Sequence, residues 1–97
     1  MKPFHFHPEA LLEADEAAEF YEERQNGLGK RFIEALTDTI NRIKRDPKLY
    51  KKIDNNIRQC RLLHFPYGVI YRDKNEFIEI IAVMHLRRKP GYWKSRV

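Results

Sequence analysis

The sequence predicts an α+β domain in which an antiparallel helical hairpin packs on one face of a mainly antiparallel four-stranded sheet. The predicted order is β-α-α-β-β-β, closed by a basic C-terminal tail. Three observations carry that prediction. Two long stretches, about residues 8–25 and 28–46, repeat apolar side chains at helical spacing with no Pro beyond Pro8 at the first helical position. After Pro47 the pattern changes to short runs rich in Ile, Val, Tyr and Phe, separated by turn residues. All connections are short, which places consecutive elements side by side.

Taken in order, Phe4-His-Phe-His7 reads as a short strand to be added at a sheet edge. Pro8 suits the first turn of a helix. The helix that follows is rich in Ala and Glu, with Leu11, Ala14, Ala18 and Tyr21 as its apolar stripe and Ala10 and Ala17 alongside. Asn26-Gly27 stops it. The second helix, from about Leu28, sets Leu28, Phe32, Leu36, Thr39, Ile40 and Ile43 on one face, and Pro47 ends it by disfavouring helical geometry at Asp46. The stretch 47–56 reads as a basic, polar loop. Strands are expected from Ile57 to Phe65, from Tyr67 to Arg72 and from Phe77 to Met84, with a bend at Pro66-Tyr67-Gly68 and a tight turn at 73–76. Pro90-Gly91 allows a last short turn or helix carrying Tyr92 and Trp93.

Length and composition bound the rest. Ninety-seven residues, 42% of them hydrophobic, make one domain over 1–97 with enough apolar mass for a core. No apolar run is long enough to span a bilayer and no signal-peptide core follows Met1, so a cytoplasmic protein without membrane contact is expected. The single Cys60 excludes an internal disulfide, and its strand-like setting points to a buried, inert thiol. Net charge is +5. Residues 1–26 hold two basic and seven acidic side chains, and the remainder holds seventeen basic and seven acidic. A positive field with that direction favours a nucleic acid or an acidic protein partner, although a solvated acidic helix facing its own basic neighbours has the same composition.

The closing stretch from His85 to Val97 carries five fixed positive charges, an adjacent Tyr92-Trp93 pair and no acid. Arg and Lys bind phosphate or carboxylate and aromatic rings stack or fill pockets, so this tail is the first candidate for function. Tyr92 and Trp93 have two readings, ligand contact or folding back over the sheet to cap the core. For Arg87-Arg88-Lys89 an anionic partner is the stronger reading. Metal chemistry finds no support, because His5 and His7 share a strand face without a Cys or nearby carboxylate. Phosphate-loop and dinucleotide patterns are absent, and no cofactor is expected. The acids gather on what reads as a solvent-facing helix, which excludes a carboxylate pair for glycoside chemistry. Metal-independent RNA cleavage needs a base, an acid and cations around the phosphorane. His64, His85 and Tyr92 are the candidates for proton transfer and Arg61, Arg87, Arg88 and Lys89 for the cations, if they converge on the uncovered sheet face. The bland alternative is a set of solvated strand residues, with His64 partly buried in the core.

Taken together, Gly29-Lys-Arg-Phe32, Asp46-Pro47, Phe65-Pro-Tyr-Gly-Val-Ile-Tyr71, Ile81-Ala-Val-Met-His85, Arg88-Lys-Pro-Gly-Tyr-Trp93 and Arg96 resemble the RelE/ParE toxin superfamily. Length, element order and basic charge agree over nearly the whole chain. The resemblance implies the toxin of a type II toxin–antitoxin, or plasmid stabilisation, pair and a cognate antitoxin that covers its apolar and basic surfaces. RelE-like members cut mRNA on the ribosome, whereas ParE-like members inhibit DNA gyrase. Gly68 stands where RelE-like toxins carry an Arg for the scissile phosphate. The ending is more similar to the ParE branch. The resemblance therefore implies a gyrase-binding protein that uses Arg87, Arg88, Lys89, Tyr92, Trp93 and Arg96. The alternatives are an mRNA endonuclease using His85, Tyr92, Arg61 and Arg88, or a toxin-like domain that only binds partners.

Overall fold

A computed structural model describes residues 2–97. The elements are β1 (Phe4–Phe6), α1 (Pro8–Arg24), α2 (Leu28–Arg45), β2 (Lys51–Asp54), β3 (Ile57–Arg61), β4 (Tyr67–Asp73), β5 (Ile78–His85) and a closing 3₁₀ turn (Tyr92–Arg96). The α+β class and the element order agree with the sequence reading. The sheet has five strands rather than four, in the order β1-β5-β4-β3-β2. The added strand is β2, inside the stretch 47–56 that reads as a loop. It pairs antiparallel with β3 through a turn in which Asn55 takes a φ of 27°. A short edge strand with one wet face has little reason to be apolar, and Lys51 and Lys52 protect that edge from pairing with other chains.

α1 and α2 form the predicted hairpin and cover one face of the sheet. α2 buries Phe32, Leu36, Thr39, Ile40 and Ile43 as its spacing predicts. α1 differs: Ala10, Ala14 and Ala17 are buried, while Leu11 is 48% exposed. Three small residues on the buried face let the helix lie close to the sheet, and the flanking Leu is turned outward. Gly29 permits an equally close approach between the helices. A Cβ there would stand 2.5 Å from the Ala18 carbonyl oxygen and 2.9 Å from the Glu22 Cβ. Its amide donates to Glu22 at 3.0 Å. Close packing therefore explains this glycine.

β1 joins the edge of the sheet parallel to β5, with Phe4 opposite Ile78 and Phe6 opposite Ile80. It stops at Phe6 because Pro8 begins α1, so β5 continues beyond it without a neighbour on that side. On its other side β5 pairs antiparallel with β4. The register steps from Ile70↔Ala82 to Tyr71↔Ile80, which leaves Ile81 as an extra residue in a bulge. The helix-side core includes Phe32, Ile43, Cys60, Val69, Tyr71 and Ile80. A second, smaller core on the opposite face joins Ile57, Ile70, Ile81, Ala82 and Met84 to Trp93. Cys60 is buried as expected, and burial raises its thiol pKa.

Candidate functional site

The end of β5 poses a hydrogen-bonding problem. Past β1, its backbone groups face neither a strand nor the helices, and unpaired buried amides are costly. One side chain from α1 and one from the C-terminal turn solve it. Glu13 accepts the Val83 amide at 3.0 Å, and the Arg96 guanidinium donates to the Ile81 carbonyl at 3.0 Å. Glu13 and Arg96 are themselves joined, with both guanidinium Nη atoms 2.9 Å from carboxylate oxygens. Their side chains are only 11% and 7% exposed. The ion pair thus stands in for a missing strand along the open edge.

The same carboxylate gathers the rest of the turn. Tyr92 donates its hydroxyl to Glu13 at 2.7 Å, and Arg88 reaches it at 3.1 Å. Arg88 lies over the Tyr92 ring at 3.6 Å from the centroid and Arg96 at 5.1 Å, so the ring is in cation–π contact with both. Burial alone would raise the Glu13 pKa. The hydrogen bonds from Arg96, Tyr92 and the Val83 amide, with the Arg96 charge, outweigh it and hold the carboxyl below its ordinary value. Burial and the Glu13 carboxylate together push the Tyr92 hydroxyl well above the usual phenol range. Tyr92 thus keeps its proton and donates it in a hydrogen bond to Glu13 in this structure.

Trp93, 3% exposed, points to the opposite sheet face and completes the second core. Trp93 folds back over the sheet, and Tyr92 lies half-buried against the same core. Arg87, Arg88 and Lys89 remain exposed on the loop between β5 and the turn.

Of the candidates for RNA cleavage, His85 and Arg88 line one cleft beside Glu13 and Tyr67, and Arg88 stacks on Tyr92, while Arg61 and His64 lie elsewhere. His85 is the register partner of Tyr67, and the two rings meet edge to face at 5.0 Å on the helix side of the sheet. Arg61 pairs in register with Gly68, whose other partner is Met84 of the second core, so its side chain belongs to the opposite face. His64 is exposed rather than partly buried, because a φ of 68° turns the chain outward between β3 and β4.

The family model of the ParE toxin of type II toxin–antitoxin systems (parDE) matches residues 4–90. The chain belongs to the ParE toxin family. Among solved structures it is similar to a chain of the chromosomal ParDE toxin–antitoxin system from P. aeruginosa. The TM-score is 0.64 and the identity 15%, over 90% of this chain and 98% of that one. At that identity the likeness concerns the fold. A search of curated proteins gives no match. The resemblance read from the sequence is thus borne out, and the protein is a ParE-like toxin.

In this toxin the residue that sequence reading missed is Glu13, assigned with its neighbours to a solvated acidic face. The signal was present. Position 13 lies three residues after Ala10 and four before Ala17, which places it beside the buried stripe of α1. An acid in that position needs a basic partner, and the chain supplies Arg96.

Proposed function

We propose that this toxin arrests bacterial growth by binding DNA gyrase in the cytoplasm. The contact cations are Arg87, Arg88 and Lys89, presented on a scaffold that Tyr92, Trp93 and Arg96 build. The observation that carries this reading is the closure of the tail on Glu13. A tail that Arg88, Tyr92 and Arg96 tie to Glu13 offers its exposed cations in one arrangement, which lowers the entropy lost on binding a partner. The separation of His85 from Arg61 across the sheet, and the commitment of the Tyr92 hydroxyl to Glu13, support gripping over cutting.

The antitoxin has a different surface available. Leu11, Leu12, Phe20 and Ile33 are exposed large apolar residues of the two helices. A groove of about 210 Å³ between them is lined by Phe4, Phe6, Leu11, Ala14, Ile33 and Ile40, among others. An amphipathic segment of an antitoxin suits such a groove. Among the described residues no helix is long and apolar enough to cross a membrane.

Inducible expression in a bacterium tests the reading. Expected is growth arrest with loss of plasmid supercoiling and intact mRNA, relieved by co-expression of a neighbouring small gene. Codon-positioned mRNA cleavage with normal supercoiling contradicts it.

A further inference from the structure

The face of the sheet turned away from the helices carries a second basic feature, separate from the loop at 87–89. Between β2, β3 and the C-terminal turn lies a cleft of about 360 Å³, within the range of ligand-sized sites. Lys51, Gln59, Arg61 and Lys94 line its walls, and Met84 and Leu86 contribute its apolar surface. Strand register explains the grouping. Lys51 is opposite Gln59 on β2 and β3, and Arg61, Gly68 and Met84 run across β3, β4 and β5. Asp54 is the one carboxylate in the lining, and it faces Lys94 at 4.0 Å. The remaining field is positive.

Gly68 shapes this cleft. A Cβ at that position would stand 3.3 Å from the Gln59 Cγ, a little tighter than ordinary contact, and would touch Leu86 Cδ2 at 3.4 Å. Glycine lets both side chains settle against the backbone of β4 and leaves the space above them free. The buried Trp93 fixes the opposite wall.

We propose that this cleft binds the phosphodiester groups of a single nucleic-acid strand and holds them uncut. Cations contributed by β2, β3 and the C-terminal turn suit a chain of regularly spaced phosphates. The apolar residues Met84 and Leu86 suit the faces of unstacked bases or sugars. An acidic peptide is the less fitting ligand. An extended peptide draws its affinity from main-chain hydrogen bonds to a sheet edge, and a sheet face offers none. Cleavage needs a base and an acid at the phosphate. His85 and Tyr92 are not in this lining. The proposal stands apart from the gyrase reading, whose residues Arg87, Arg88 and Lys89 lie outside the cleft.

The test is fluorescence anisotropy with the purified full chain and a labelled oligonucleotide of about twelve nucleotides, as single-stranded DNA and as RNA. An acidic peptide of equal charge is run in parallel. Both strands are expected to bind and to remain intact on a gel. The paired change Lys51→Gln with Arg61→Gln should lower the salt slope of log affinity by about 1.4, from two contacts at about 0.7 each. The charge-matched pair Lys30→Gln with Arg45→Gln, on the exposed side of α2, should leave it near the original. Gly68→Ala, which removes no charge, should weaken binding by crowding Gln59. Equal losses in the cleft and control pairs overturn the proposal, as does an acidic peptide that binds as tightly as either strand. RNA cut by the original protein and spared by Arg61→Gln overturns the claim that the strand is held uncut.

Discussion

The Arg88 guanidinium lies 3.6 Å from the centroid of the Tyr92 ring, so an exposed cation of the toxin rests on an aromatic side chain that is itself tied to α1. Orientation of the one depends on fixation of the other. Tyr92→Ala removes the platform and is expected to abolish growth arrest. Tyr92→Phe keeps the ring and loses only the hydroxyl bond to Glu13, a change of about 1–3 kcal/mol in stability, and should retain partial toxicity. Plating efficiency after induction, with circular dichroism to confirm folding, separates the two. Equal toxicity in both variants would remove Tyr92 from the mechanism.

Arg96 and Glu13 hold the open edge of β5 as a pair. Breaking a buried ion pair from one side costs about 3–5 kcal/mol, because the partner is left charged and unpaired. Glu13→Gln and Arg96→Gln should each lower stability by an amount in that range. The double variant should cost clearly less than the sum of the two. Urea denaturation of the full cycle measures it, and simple additivity contradicts the pairing.

The same carboxyl makes stability depend on pH. Its folded value lies below the ordinary 4.5, so its contribution is complete above that value and is lost as pH falls through the lower, folded one. The original protein should lose stability in acid more steeply than Glu13→Gln, and the gap between them should narrow. Urea midpoints taken from neutral pH to below 4.5 check the trend. Parallel curves would show that Glu13 is not the titrating group.

Gly29 of α2 packs directly on the backbone of α1. Gly29→Ala places a methyl group against the Ala18 carbonyl, which neither helix can yield without separating. Such overpacking costs about 1–3 kcal/mol, opposite in sign to the usual gain from Gly to Ala inside a helix. A lowered melting temperature is expected, and a raised one would mean that the hairpin can open without loss.

Much of this fold is written in periodicity. Phe32, Leu36, Ile40 and Ile43 mark the buried face of α2, and the apolar run ending at Met84 marks β5. β2 was not legible, since Lys51, Lys52 and Asp54 obey the requirements of an exposed edge and carry no apolar alternation. At the site, the cations of the tail stood out by composition, but which of them stay free did not. That division depends on Glu13, far away in sequence, and on a bulge at Ile81 whose carbonyl needs the Arg96 donor. Tertiary hydrogen bonding of this kind leaves no local pattern.

Supercoiling by purified bacterial gyrase, measured with increasing amounts of this toxin, tests the central claim most directly. The account predicts inhibition by the original protein, and its loss when Arg87, Arg88 and Lys89 are replaced together by Gln in a protein that still melts cooperatively. Full supercoiling in the presence of excess folded toxin, with cleavage of mRNA on translating ribosomes, would contradict it.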